Sequence, residues 1–383
     1  MEKAVRQHYV PRFYLRGFST ALKENAIYGY RISEQKLFGP ILVDGVAHEK
    51  HFYDLDDTTS LEGDLANLES RIATVHRKIL ETRDLAKLSA TERYTYAQFV
   101  ATQSWRTRRA RDDMKFLLNL MADSADLPHQ TAASQEHIRN IGEGVLRTFD
   151  EVVSIALEKA LLEVQAATNQ SGEPFRTKAL ESARQAVDKY REFFARGQLH
   201  PDVQQSMREA AVDPAKVKQL HINAFSVTAE RATRSLLSMS WYLLRNESDE
   251  SLITSDNPVI SIDGARPSTE HSEMDALATA LGYTDWHDSS GNLKPSLRVL
   301  MPLSPKLMLV IAPKNNLPIQ PVNGKRVADY NAIVATQARD FLFCNTNDFT
   351  SAMSGLERKK TLTATLEEII RIVLSSSRED RKP

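Results

Sequence analysis

The side chains of this sequence that could carry chemistry together are His8, Arg12, Asp256 and Asn257. An imidazole titrates near neutrality and can take or give a proton. A carboxylate can orient that imidazole, or hold a divalent metal through oxygen. A guanidinium clamps a phosphate through parallel N–H bonds. Gathered in one open pocket, these groups suit hydrolysis or transfer at a phosphate ester, with Arg12 as the anion clamp. No ligand set defines a metal, so a divalent cation enters only as a cofactor such chemistry would accept. The bland reading competes. His8 caps a carbonyl in the core, and Asp256 and Asn257 form a turn, because Asx side chains bond nearby backbone. Tyr9, Phe13, Tyr14 and Phe18 then serve as core anchors.

A second group lies in Trp105–Asp113, where Arg106, Arg108, Arg109 and Arg111 fall within six residues. Arg106, Arg108 and Arg109 could meet the phosphates of a nucleic acid or nucleotide. The same run also reads as a solvated helix face, with Arg108–Asp112 and Arg109–Asp113 as i,i+4 ion pairs. His48 and His51 are three apart and invite a zinc reading, but no thiol or third histidine lies near them in sequence. Cys344, in the apolar run Phe341-Leu342-Phe343-Cys344, reads as a buried inert thiol. The chain has no Gly-x-Ser-x-Gly elbow, Walker-type phosphate loop, His-Glu-x-x-His or dinucleotide fingerprint.

The elements that must position these residues begin at the N-terminus. Pro11 favours an extended Val10 and then a first helical turn. Tyr14, Leu15 and Phe18 continue that face until Gly17 stops it. Ala26–Ile32 and Lys36–Val43 read as a hairpin, and residues 46–55 as extended. Thr59-Ser60-Leu61-Glu62 and Ser89-Ala90-Thr91-Glu92 have capping-box spacing and open helices. The second helix is expected to run to about Met121. Further helix is expected at 136–168, a break at Asn169–Pro174, and renewed helix to about Phe194. Asp213-Pro214 opens a helix expected to reach Leu244. Beyond it, Leu252–Thr254 and Val259–Ile262 read as strands around the Asp256 turn. Residues 267–293 read as a surface excursion. Ser296–Pro302 and Lys306–Ala312 read as a hairpin, Lys325–Arg339 as helix, Phe341–Cys344 as strand and Leu362–Leu374 as helix.

The run His8-Tyr9-Val10-Pro11, with Phe13-Tyr14-Leu15 and Phe18 behind it, resembles the opening of a bacterial family of unknown function known for its HYVP motif. Ile253–Val259, Pro302–Lys306 and the stretch from Asn331 to Asn345, with its Ala338-Arg339 step, are similar to later parts of that family. The resemblance implies a shared architecture over nearly the whole chain. It brings no activity with it.

The expected fold class is α+β. A small mixed or antiparallel sheet takes strands from N- and C-terminal segments, and a large helical block fills the middle. The expected divisions are 1–58, 59–247 and 248–383. With 383 residues the chain is long enough for two lobes, and a formal net charge of -1 gives no global pull on nucleic acid or membrane. One cysteine excludes an internal disulfide, and no apolar run approaches the roughly 20 residues that span a bilayer. Residues 1–20 carry no apolar signal core, so the expected location is cytoplasmic. Two functions follow. One is a phosphoester or nucleic-acid hydrolase using His8 and Asp256. The other is a non-catalytic binding or assembly protein, engaging protein or nucleic acid through the helical block.

Overall fold

The computed structural model describes residues 6–54, 62–115, 196, 201–263, 296–313 and 323–379. The helix expected at 136–168, the break at 169–174, the helix to 194 and the excursion at 267–293 lie outside them.

The opening stretch forms strand β1 (Arg6–His8), helix α1 (Arg12–Leu15) and a 3-10 turn at Arg16–Phe18. Pro11 sits just before the helix at φ -61, ψ 140, as its ring demands. Tyr14, Leu15 and Phe18 are completely buried. The Tyr14 hydroxyl donates to the Pro302 carbonyl at 2.5 Å and lies 2.7 Å from Thr254 Oγ1. At Gly17 a Cβ would stand 2.5 Å from the Leu303 carbonyl oxygen, so only glycine allows that approach. Tyr14 is thereby docked on segments more than 200 positions away.

The remaining strands are β2 (Ala26–Arg31), β3 (Lys36–Leu42), β4 (His48–Lys50), β5 (Ser240–Arg245), β6 (Thr254–Ser255), β7 (Ile260–Asp263), β8 (Leu297–Ser304), β9 (Leu307–Ala312) and β10 (Phe341–Cys344). They pair as β1-β4, β3-β2-β10-β6 and β5-β9-β8-β7, every pairing antiparallel. The α+β class holds, and the second sheet joins strands from both ends of the chain. The strands divide among three sheets where the sequence suggested one. Strand β5 is a correction, because the helix expected to reach Leu244 stops at Ser238. Trp241, Tyr242 and Leu243 suit a pleated surface, and pairing with the fully buried β9 offers more than another helical turn.

Among the described residues, the longer helices after α1 are α2 (Glu62–Thr82), α3 (Ala90–Trp105), α4 (Pro201–Val212), α5 (Pro214–Ser238), α6 (Gly324–Gln337) and α7 (Thr350–Glu379). Ser89 and Glu92 make the expected capping box at α3, and Asp213 accepts from the Ala215 N–H at the start of α5. By compactness, residues 1–113 and 229–371 form one unit and residues 114–228 and 372–383 another. The first unit contains every strand among the described residues and the whole candidate site. In the second, Ala210, Ala211 and Val217 make a small core with Met114 and Met207. No helix among the described residues is long and apolar enough to cross a membrane.

Two features of the first unit lead to tests. In α7, a Cβ at Gly355 would lie 2.0 Å from the Ala332 carbonyl oxygen of α6, so that helix contact requires glycine. Gly355→Ala is expected to cost about 1–3 kcal/mol of unfolding free energy through overpacking. Gly324→Ala, whose nearest neighbours would stand 3.8 Å away, is expected to be silent in the same denaturant titration.

His76 of α2 is buried among the rings of Phe13, Tyr14 and Tyr96, with Nδ1 2.8 Å from the Tyr96 hydroxyl and no partner at Nε2. Burial pulls its pKa from 6.5 to about 4. Its folded value lies below its unfolded value, so the neutral imidazole stabilises the fold above pH 6.5. That contribution, about 3 kcal/mol at one pKa unit per 1.36 kcal/mol, is lost as the pH falls towards 4. Stability curves of wild type and His76→Gln should therefore converge with acidification between these values.

Candidate functional site

Helix α3 breaks at Arg106 and Thr107, and helical backbone resumes at 108–115. The break lets consecutive side chains reach different parts of the chain. Each nitrogen of the Arg106 guanidinium has a partner: Nε donates to the Tyr53 hydroxyl at 3.0 Å, one terminal nitrogen to the His8 carbonyl at 2.7 Å, and the other pairs with Glu69 at 2.8 Å. Thr107 Oγ1 donates to Asn257 Oδ1 at 3.4 Å and accepts from the Ala110 N–H at 3.2 Å, capping the new helical turn. Arg108 bridges Glu49 and Asp340, each at 3.1 Å. Arg109 donates to the Gln337 carbonyl at 2.5 Å and pairs with Asp113 at 3.4 Å. Arg111 donates to the Phe52 carbonyl at 2.8 Å with its charge 3.8 Å above the Phe52 ring.

The expected Arg109–Asp113 pair is present. Arg108–Asp112 is replaced, because Asp112 pairs with Arg339. Arg106 and Arg109 are almost wholly buried, so neither faces solvent as a phosphate ligand would. Arg108 is partly exposed but held between two carboxylates.

Asp256 performs the reverse task. Its side chain accepts the backbone N–H groups of Arg339 at 2.9 Å, Asp340 at 2.6 Å and Phe341 at 3.2 Å. Burial raises its pKa, the backbone bonds oppose the rise, and the balance stands at about 6. Asn257 donates to the Gln337 carbonyl at 3.2 Å, and its own N–H is held by Ser255 Oγ at 3.1 Å. Both residues are at most 5% exposed. Lys359 of α7 donates to the Ala338 carbonyl, and burial followed by the Arg109 charge lowers its pKa to about 8.

His8 and Arg12 belong to another surface. In the β1–β4 ribbon, Arg6 faces Lys50, Gln7 faces Glu49 and His8 faces His48. Side chains alternate along a strand and opposed residues share a side. Arg6, His8, His48 and Lys50 therefore line one face, while Gln7 and Glu49 line the other. The second face points inward: Gln7 is fully buried on Asp54 at 2.7 Å, and Glu49 meets Arg108 and Arg111. On the first face Arg6 and Lys50 are exposed and the imidazoles half-buried, with ring centroids 5.4 Å apart.

Burial, then the charges of Arg12 and His48, lowers the His8 pKa to about 4, although a bond to the Asp44 backbone opposes this. Burial and Arg6 lower that of His48. Arg12 is exposed, 3.3 Å from the Asp44 carboxylate. Asp256 acts on the buried Tyr9 hydroxyl, raising its pKa after burial itself. His8 and Arg12 thus share an outer face, and the sealed Asp256 and Asn257 do not join them in an open pocket.

The zinc reading of His48 and His51 separates in the same way. His48 meets His8, whereas His51 Nδ1 lies 2.9 Å from Asp54. Among the described residues, no group of three or more His, Cys, Asp or Glu is placed to hold a metal. Cys344 is buried, with a pKa raised chiefly by burial. An open cleft of about 540 Å³ between Arg83–Ala86 and Trp241–Leu243 contains none of the residues selected from the sequence. Sequence reasoning did not single out Arg6 and Lys50, which share this exposed face. The signal was the pair of alternating basic steps Arg6-x-His8 and His48-x-Lys50, which gains meaning only when the strands are known to pair.

Three antiparallel sheets and a broken arginine-rich helix define an α+β protein whose N-terminal segment is built into its core. Residues 6–348 match the family described as Protein of unknown function (DUF4238), and the chain belongs to it. No curated protein and no solved structure matches the chain.

The backbone bonds of Asp256 yield a test. Asp256→Asn retains the shape but replaces one acceptor oxygen by a donor facing N–H groups. It is expected to lower unfolding free energy by about 1–3 kcal/mol, the cost of an unsatisfied buried group. Thermal denaturation near neutral pH measures this, with His48→Ala as a surface comparison.

Proposed function

We propose that this protein binds the phosphate backbone of a single-stranded nucleic acid on the ribbon face bearing Arg6, His8, His48 and Lys50, with Arg12 at its edge. The observation that carries the reading is the register of β1 with β4, which opposes Arg6 to Lys50 and His8 to His48. Successive rungs on one face lie two residues apart, roughly 7 Å along the ribbon. Such a row fits a chain of repeating anions better than one isolated anion. The carboxylate beside it, Asp44, is matched by Arg12.

This reading moves phosphate contact from Arg106, Arg108 and Arg109 to the ribbon, because the arginine run is engaged by carbonyls and carboxylates. It also removes Asp256 from a catalytic role, because its carboxylate is occupied by backbone N–H groups. The binding alternative is thus favoured over a hydrolase built on His8 and Asp256. Within the family, we read His8-Tyr9-Val10-Pro11 as its opening motif; the matched region begins two residues earlier.

Fluorescence anisotropy with a labelled single-stranded oligonucleotide tests the proposal. Log affinity should fall linearly with log salt, by about 0.7 per phosphate contacted. Arg6→Ala combined with Lys50→Ala should weaken binding and reduce that slope by about 1.4. Arg31→Ala, at an exposed cation paired with Glu34 on another sheet, should leave both unchanged. Equal affinity and slope in wild type and the double variant would refute the ribbon as the site.

A further inference from the structure

The first unit holds a second concave surface, built from none of the ribbon residues: the cleft of about 540 Å³ between Arg83–Ala86 and Trp241–Leu243. Its volume lies within the range of about 300–1,000 Å³ that small-molecule sites occupy. One wall is β5, the edge strand of its sheet. Along that strand Leu244 and Tyr242 pack on the core that contains Met308 and Val310. Alternation puts Trp241, Leu243 and Arg245 on the opposite face. The Trp241 ring is almost wholly buried, its Nε1 donates to the Leu236 carbonyl at 2.9 Å, and the Arg93 guanidinium stands 4.9 Å above it. Its one polar atom is therefore used elsewhere, and what it presents to the cleft is carbon.

The other wall is the chain leaving α2. The Arg83 N–H donates to the Ile79 carbonyl at 2.8 Å, and Arg83 itself takes φ 55 short of no glycine-only strain region at 49. Asp84 accepts the Ala86 N–H at 2.9 Å and so opens the 3-10 turn at Leu85–Lys87. A terminal nitrogen of Arg245 donates to the Arg83 carbonyl at 3.1 Å and ties the two walls together. The cleft is thus held by the protein's own bonds and stands preformed.

Its cations are unlike the others of this unit. Arg12, Arg31, Arg106, Arg108, Arg109 and Arg339 each meet a carboxylate. Arg245 meets only the Arg83 carbonyl, and the Arg83 guanidinium makes neither a hydrogen bond nor an ion pair; both side chains are exposed. Of the two acidic residues lining the cleft, Asp84 is engaged at its turn and Glu247 pairs with neither arginine. Guanidinium groups match carboxylate and phosphate oxygens through parallel N–H bonds. Placed over an apolar wall, they are the donor set for an anion that carries hydrocarbon.

We propose that this cleft binds a small organic anion, a carboxylate or phosphate monoester on a compact apolar body. Arg245, anchored at one nitrogen, pairs with the anionic group, and the unengaged Arg83 turns to the same group. Leu85, Trp241 and Leu243 cover the hydrocarbon. Glu247 disfavours a second anionic group, so the cleft suits a single small anion, whereas the ribbon suits a row of them. The inference stands independently of the ribbon reading.

The experiment is isothermal titration calorimetry on the full chain at low salt, with phenylacetate, phenyl phosphate and the neutral 2-phenylethanol as probes. At least one of the two anions is expected to bind, with the neutral probe weaker by roughly 10-fold or more, the worth of a hydrogen bond to a charged group. Binding of phenylacetate alone identifies the ligand class as carboxylates, and binding of phenyl phosphate alone identifies it as phosphate monoesters. Arg83→Gln should weaken the anion by about 10-fold, and Arg245→Gln by at least as much. Arg234→Gln, at an exposed cation paired with Glu230, should retain the wild-type affinity. A thermal melt establishes that each variant is folded. Should Arg245→Gln fail to fold through loss of the tie between the walls, Arg83→Gln decides alone, because that side chain holds nothing in the fold. Absence of binding of both anions at millimolar concentration would overturn the proposal. So would equal affinity in wild type and Arg83→Gln, or equal affinity for the anions and the neutral probe.

Discussion

The structure depends on burying arginines without leaving their charges unanswered. Removing a guanidinium from water is costly unless its donors are satisfied, and the penalty falls on whichever segment fails to supply an acceptor. Arg106, Arg109 and Arg111 find backbone carbonyls at His8, Gln337 and Phe52, in three separate parts of the chain. The interruption of helix at Arg106 and Thr107 makes this geometry available, because an unbroken helix would direct these side chains at a regular pitch around one cylinder. The engaged carbonyls lie at the end of β1, at the end of α6 and in the turn after β4, so the arginines tie the ends of separate elements together.

Asp256 complements the arginines with opposite polarity, gathering consecutive N–H groups at 339–341 just before β10 pairs with both β2 and β6. Asn257 and Thr107 tie this turn to the helix break. Residues that look catalytic by type are thus spent on organising the junction at which the two ends of the chain meet. A carboxylate surrounded by N–H donors favours its ionised form, whereas its burial favours the protonated one; the resulting value near 6 records a balance of opposed effects.

The same junction shapes the outer ribbon. Gln7 and Glu49 must face inward, Gln7 to hold Asp54 and the Tyr53 N–H, Glu49 to answer Arg108 and Arg111. Alternation then leaves Arg6, His8, His48 and Lys50 no side but the outer one. The basic character of that face follows from the inward face being fully employed, and Arg12 extends it from the next helix. A local positive surface coexists with a formal net charge of -1 for the chain.

The local elements were largely legible in the sequence. Pro11, the Ser89–Glu92 box, Asp213-Pro214 and the alternating hairpin at 297–312 act through nearest-neighbour geometry, and they appear where their chemistry requires. Strand β5 was hidden because Trp241–Leu244 can continue a helix as readily as form a strand, and only the buried surface of β9 decides between them. The candidate site divides along the same line. That His8 and Arg12 lie close together, and that the opening stretch is core, could be read from spacing and aromatic content. That Asp256 would be sealed by backbone donors, that the arginine run would turn inward, and that His48 would stand beside His8 required partners 53 to 228 residues distant or strands whose register no short-range pattern encodes. Sequence by itself determined which segments turn, cap and alternate, since those preferences are local. The tertiary structure alone decided which charges meet water, since burial depends on what the rest of the chain brings against them.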